Sequence, residues 1–97
     1  MLTARQRAHL KSLAHPLKPL VQIGKDGVTD ALAATLETAF QTRELLKVKV
    51  LDTAPVDVRG AAGELRARLA DGEVVQVIGR TIVLYRRHPE RPEIRLP

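Results

Sequence analysis

Between residues 74 and 86 the chain reads VVQVIGRTIVLYR, two runs rich in β-branched residues separated by Gly79-Arg80. A two-residue connector whose glycine is free to take positive φ joins antiparallel neighbours, so this stretch specifies a hairpin. Upstream, ELLKVKVL at 44–51 sets Leu46, Val48 and Val50 against Lys47 and Lys49, the alternation of a half-buried strand. LVQI at 20–23 supplies a fourth, shorter strand.

Helical spacing fills the intervals. LTARQRAHLKSLA starts at Thr3, which stands in capping-box register with Gln6; Leu10, Leu13 and Ala14 mark its apolar face, and Arg7 and Lys11 a separate cationic stripe. Pro16 ends it by excluding the helical conformation for His15, and Pro19 repeats the effect on Lys18. Thr29 caps DALAATLETAFQTR, where Leu32, Leu36, Ala39 and Phe40 share one face. A third helix lies in AAGELRARLADG, with Ala61, Leu65 and Leu69 four apart. Pro55, Gly60 and Gly63 blur its start, and Asp71-Gly72 closes it.

The α-β-α-β-α-β-β order predicts an α/β fold: a single domain with a mixed four-stranded sheet covered by helices, its strand order open. Leu36, Phe40, Val48 and Leu65 belong to the core. Residues 1–87 form the domain, and 88–97, rich in proline and without periodicity, a tail laid along the surface.

Composition narrows the chemistry. The chain has no cysteine, hence no disulfide, no thiolate nucleophile and no cysteine zinc site. Its three histidines, His9, His15 and His88, fall in unrelated settings, and Ser12 lacks a nucleophile elbow, so neither a metal site nor an enzyme is expected. No cofactor and no small-molecule substrate are implied. With neither a signal-type apolar segment nor a membrane span, the protein is expected in the cytoplasm.

Charge is unevenly placed. Arg5, Arg7, Lys11, Lys18 and Lys25 all fall within the first 25 residues, which contain no acid, so the net charge of +5 is the excess of that segment alone. Such a segment is the footprint expected for a polyanion. Within it, VQIGKDGVTD runs from strand through Gly24-Lys25-Asp26-Gly27 into a helix. Two glycines let the backbone approach another chain, loop and helix amides can face phosphate, and Lys25 adds a full charge. Strand, G-x-x-G and helix in succession is how KH-type domains clamp a nucleic-acid backbone. Asp26 opposes this unless it turns away. Phe40 and Tyr85 are the only aromatics, so base stacking on an aromatic platform is not the main mode. Lys47, Lys49, Arg80, Arg86 and Arg87 rank second, since strand ends can lie far from the loop. Another reading stays open, a small basic adaptor that binds an acidic protein; it would need an exposed apolar patch.

Taken together, LKSLAHPLKPLVQIGKDGVT, ELLKVKV and QVIGRTIVLYR, in this order and spacing, resemble the CRM domain (chloroplast RNA splicing and ribosome maturation) in its stand-alone bacterial, YhbY-like form. The resemblance spans residues 2–87. It implies a fold similar to the C-terminal domain of bacterial translation initiation factor three, with a KH-like G-x-x-G loop as the RNA contact. It also implies ribosomal RNA of large-subunit precursors as the partner. Carried over, the RNA-binding set is Gly24, Lys25, Asp26 and Gly27, extended by Arg5, Arg7, Lys11 and Lys18 of the first helix and its exit. The stretch Thr53 to Glu64 matches the family little. A monomer is the expected state.

Overall fold

The computed structural model describes residues 1–97. Helix α1 (Ala4–Ala14) begins at Thr3, whose hydroxyl accepts from the Gln6 amide while the Gln6 side chain accepts from the Thr3 amide, so the capping box is closed in both directions. It ends at Ala14 as expected, but the cap residue His15, for which Pro16 is expected to exclude helical backbone, adopts φ −50°, ψ −48°, and its amide still donates to Lys11. A proline disfavours helical backbone in the preceding residue without forbidding it. Here the Leu17 amide closes a tighter turn onto Ala14 immediately afterwards.

Strand β1 (Val21–Ile23) leads to helix α2 (Asp30–Ala39), capped by Thr29 at 3.1 Å from the Leu32 amide. Strand β2 (Leu45–Val50) precedes helix α3 (Val58–Arg68). The start of α3, blurred in the sequence, is set by Asp57, whose carboxylate accepts from the Gly60 amide at 2.7 Å. A cap of this kind is worth about 1 kcal/mol, enough to offset a glycine in the first turn. Asp71 rather than Gly72 carries the positive φ (59°) after α3. Strands β3 (Glu73–Ile78) and β4 (Thr81–Tyr85) form the expected hairpin, with Gly79 at φ +58°.

The sheet order is β1-β2-β4-β3. β1 runs parallel to β2, and β4 is antiparallel to both β2 and β3, so the sheet is mixed. Its two faces bury different sets of residues. On one, α2 and α3 bring Leu36, Phe40 and Leu65 against Leu46, Val48, Ile82 and Leu84. On the other, Leu10 and Ala14 of α1 cover Leu45, Val75, Val83 and Tyr85. Leu13, expected on the apolar face of α1, is 39% exposed.

Arg7 departs most from its expected place. It lies three residues before Leu10 and seven before Ala14, on the buried stripe, and its Nη1 donates to the carbonyls of Val74 (2.7 Å) and Val75 (2.6 Å). These belong to an edge strand whose ladder is broken by a bulge between Val74 and Gln76. Carbonyls freed by a bulge need a donor, and a guanidinium has five.

The last ten residues are held by Glu44. Its carboxylate, buried at the start of β2, accepts from the amides of His88 (2.8 Å), Glu93 (2.7 Å) and Ile94 (2.7 Å). Burial by itself would raise its pKa, but those three amides and the nearby His88 bring it below the ordinary value of 4.5. Ile94 and Leu96 then pack against the α1 side of the core.

Candidate nucleic-acid interface

The Gly24–Gly27 loop leaves the sheet at the end of β1. The Gly27 amide returns to the Gly24 carbonyl at 2.9 Å, closing a turn with Lys25 and Asp26 exposed at its tip. The two glycines differ in role. Gly27 sits at φ +69°, a conformation that costs other residues about 1–2 kcal/mol. Gly24 has ordinary backbone angles, and a β-carbon there would meet only Leu51 and Thr53 at 3.9–4.0 Å. Neither the backbone angles nor a close neighbour therefore requires a glycine at position 24.

Not every amide of this segment is available. Gly27 is spent on the turn, and Thr29 has taken that of Leu32. The amides of Lys25 and Asp26 donate to no protein group. The positive end of α2 already faces Asp30 in its first turn, a carboxylate that also pairs with Arg68 at 2.8 Å. Free amides thus stand both at the loop tip and in the first turn of α2, where the Asp30 and Ala31 amides also donate to no protein group but lie beside the Asp30 carboxylate.

The loop has neighbours that linear sequence separates. Because β1 and β2 are parallel, the segment after β2 emerges beside it, with Pro55 against Gly27. Because β4 is antiparallel to β2, the Gly79-Arg80 turn reaches the same end, where the Arg80 carbonyl accepts from the Val50 amide at 2.7 Å. Lys25, Lys49 and Arg80 consequently share one end of the sheet, all exposed and none in an ion pair. Asp26 and Asp52 are exposed acids of the same end. A depression of about 410 Å³ beside Arg80 is lined by Leu51, Asp52, Pro55 and Val56.

Helix α1 divides its cations. Its first turns are tied to the opposite end of the far edge strand, through Arg7 on Val74 and Val75 and through the Met1 amino group, 3.3 Å from Glu73. Arg5 and Arg7 therefore sit across the sheet from the loop, since four strands span about 14 Å. Lys11 is exposed on the second half of the helix, and Lys18 is exposed in the segment that leads into β1. Among the second-rank cations, Lys47 donates to the carbonyls of His15 and Leu17. Arg86 is held by Glu37 at 2.7 Å and stacks 4.7 Å from the Phe40 ring. Lys49 and Arg80, ranked no higher from sequence, join the loop, and only the strand order could have revealed it.

No set of three His, Asp or Glu side chains is grouped to hold a metal ion, and no helix is long and apolar enough to cross a membrane.

The sequence profile of the CRS1 / YhbY (CRM) domain matches residues 2–86. The chain is 41% identical over 97 residues to "Probable RNA-binding protein YqeI" of Bacillus subtilis, covering all of both chains. It is 37% identical to a Haemophilus influenzae protein named "RNA-binding protein", covering 99% of this chain and 95% of that one. Among solved structures, SAV1595 of Staphylococcus aureus, for which RNA binding has been proposed, superposes with a TM-score of 0.82 at 41% identity over the whole of both chains. The chain thus belongs to the CRS1 / YhbY (CRM) domain family.

Proposed function

We propose that the chain is a non-catalytic RNA-binding protein of the cytoplasm that acts as a monomer on ribosomal RNA of large-subunit precursors. The RNA part of this reading is supported by the names of the relatives, and the ribosomal part by what the family resemblance implies. One observation carries the mechanism: Gly24, Lys25 and the free amides of Lys25 and Asp26 sit at the sheet end that also bears Lys49 and Arg80. Backbone phosphates approach over Gly24, accept from those amides and are held by the three cations, as in a KH-like clamp. Gly27 shapes the turn. Lys11 and Lys18 extend the attraction, Arg5 contributes at longer range, and Arg7 positions α1 on the sheet rather than touching RNA.

A second reading has one observation in its favour. Leu13 and Leu17, each 39% exposed, line a groove of about 450 Å³ with Leu20, Ile94, Lys18 and Arg43, as an adaptor for an acidic, apolar segment would require. Ultraviolet crosslinking in living cells, followed by sequencing of the attached RNA, separates the two. Enrichment of one region of large-subunit ribosomal RNA that is lost on Lys25→Ala supports the clamp. Recovery of no RNA above background overturns it in favour of the adaptor.

A further inference from the structure

One row of the sheet is left uncovered. Gln22 of β1 stands opposite Lys49 of β2, Lys49 opposite Thr81 of β4, and Thr81 opposite Ile78 of β3. Directly opposed residues share a face, so the four side chains form a line across all four strands. That face is the one α1 packs on, because Lys49 lies between Val48 and Val50, both buried against α2 and α3. Helix α1 covers Leu45, Val75, Val83 and Tyr85, and its exit segment is bound by Lys47. It stops short of the next row. Gln22 and Lys49 are exposed, Thr81 is half-buried, and Ile78 is 57% exposed, an unusual setting for a β-branched apolar residue within a strand.

We propose that this row is where the nucleobases of a single-stranded RNA segment lie, so that the sheet supplies base preference while the Gly24–Gly27 loop supplies phosphate grip. The inference rests on the RNA-binding reading above and goes beyond it by naming a base-contacting surface. The row borders the loop at the β1 side and the Gly79-Arg80 turn at the β3 and β4 side, with Lys49 between. Lys49 within the row, Lys25 and Arg80 at its borders, and no carboxylate in the row itself suit a polyanion. Its span of about 14 Å is that of a four-stranded sheet that seats two or three bases.

The side chains match base chemistry without an aromatic platform. The Gln22 amide and the Thr81 hydroxyl each donate and accept, so they can pair with base edges. Ile78 offers an apolar ledge for the flat face of a base, and its exposure has no other use in the fold. A protein partner fits less well. A protein-docking surface needs a contiguous apolar patch, whereas Ile78 is isolated among polar neighbours, and the exposed Leu13 and Leu17 line a groove elsewhere.

The test measures dissociation constants by fluorescence anisotropy for short single-stranded RNA oligomers, one rich in each base, across a salt series. Wild type is compared with Gln22→Ala, Ile78→Ala and Thr81→Val, all at positions outside the two core clusters. Thermal denaturation of each variant confirms the fold. The expected result is a base preference in the wild type that one or more variants reduce by about 3- to 10-fold, the effect of losing one net hydrogen bond or its apolar equivalent. The salt slope should stay unchanged, because no counterion-releasing charge is removed. A wild type that binds all oligomers equally, or a preference that all three variants retain, overturns the base-row inference and leaves the loop reading intact. A wild type that binds no RNA overturns both.

Discussion

The place a β-carbon would occupy on Gly27 lies 3.3 Å from Cγ of Pro55, so the Gly24–Gly27 loop is packed against the segment that follows β2. Gly27 also holds φ +69°, and its two constraints act together. Gly27→Ala should destabilise the protein by about 1–2 kcal/mol in urea unfolding. Gly24→Ala meets only ordinary contacts and should leave stability within about 0.5 kcal/mol while weakening RNA binding. If Gly24→Ala bound RNA as wild type does, close backbone approach at that position would be ruled out.

Salt dependence tests the cations. With about four phosphates contacted, the log-log slope on single-stranded RNA should be near −3, a loss of roughly 50-fold between about 50 and 200 mM salt. Lys25→Ala, Lys49→Ala and Arg80→Ala should each flatten it by about 0.7. Any of the three that leaves the slope unchanged makes no phosphate contact.

Arg7→Ala should behave in the opposite way. Its guanidinium is committed to the Val74 and Val75 carbonyls, and hydrogen bonds from a charged donor contribute about 1.5–3 kcal/mol. Stability should fall by that order while the salt slope holds. A flattened slope with unchanged stability would return Arg7 to the RNA surface.

Asp26 offers a gain of function. A carboxylate about 4 Å from a phosphate costs about 1 kcal/mol in water, so Asp26→Asn should tighten binding by up to about 5-fold at low salt, less at high salt. Binding that weakened instead would mean the carboxylate organises the loop.

Glu44 ties stability to pH. Its folded-state pKa lies below the ordinary 4.5, so its contribution is complete above that value and is lost as pH falls through the lowered one. Glu44→Gln should destabilise the protein at neutral pH by about 1–3 kcal/mol, because the part-buried amides of the tail lose one of their two acceptor oxygens and the charge on the other. The difference from wild type should shrink below about pH 4.5. Equal stability of the two proteins at neutral pH would show that the tail docks through Ile94 and Leu96 alone.

Local physics made much of the fold legible. The Thr3 and Thr29 caps, the alternation from Leu46 to Val50 and the Gly79-Arg80 turn each depend on residues within a few positions of one another. So does the Gly24–Gly27 turn, which the sequence identifies without its neighbours. Where local preference is weak, sequence decides less: Pro16 only biases His15, which keeps helical angles as the cap of α1 with its amide on Lys11.

Tertiary structure decided which charges meet. Periodicity assigns Arg7 and Lys11 to one cationic stripe, yet a bulge on β3, distant in sequence, draws Arg7 inward. Lys49 and Arg80 join Lys25 only because β1 and β4 both flank β2, one parallel and one antiparallel. The row from Gln22 to Ile78 exists only once all four strands are in register and α1 has stopped short of it. Amino-acid order determined the elements, the turns and the loop, because their energies are local. The shared surface came from strand order and register, which are set by long-range packing that no single segment encodes.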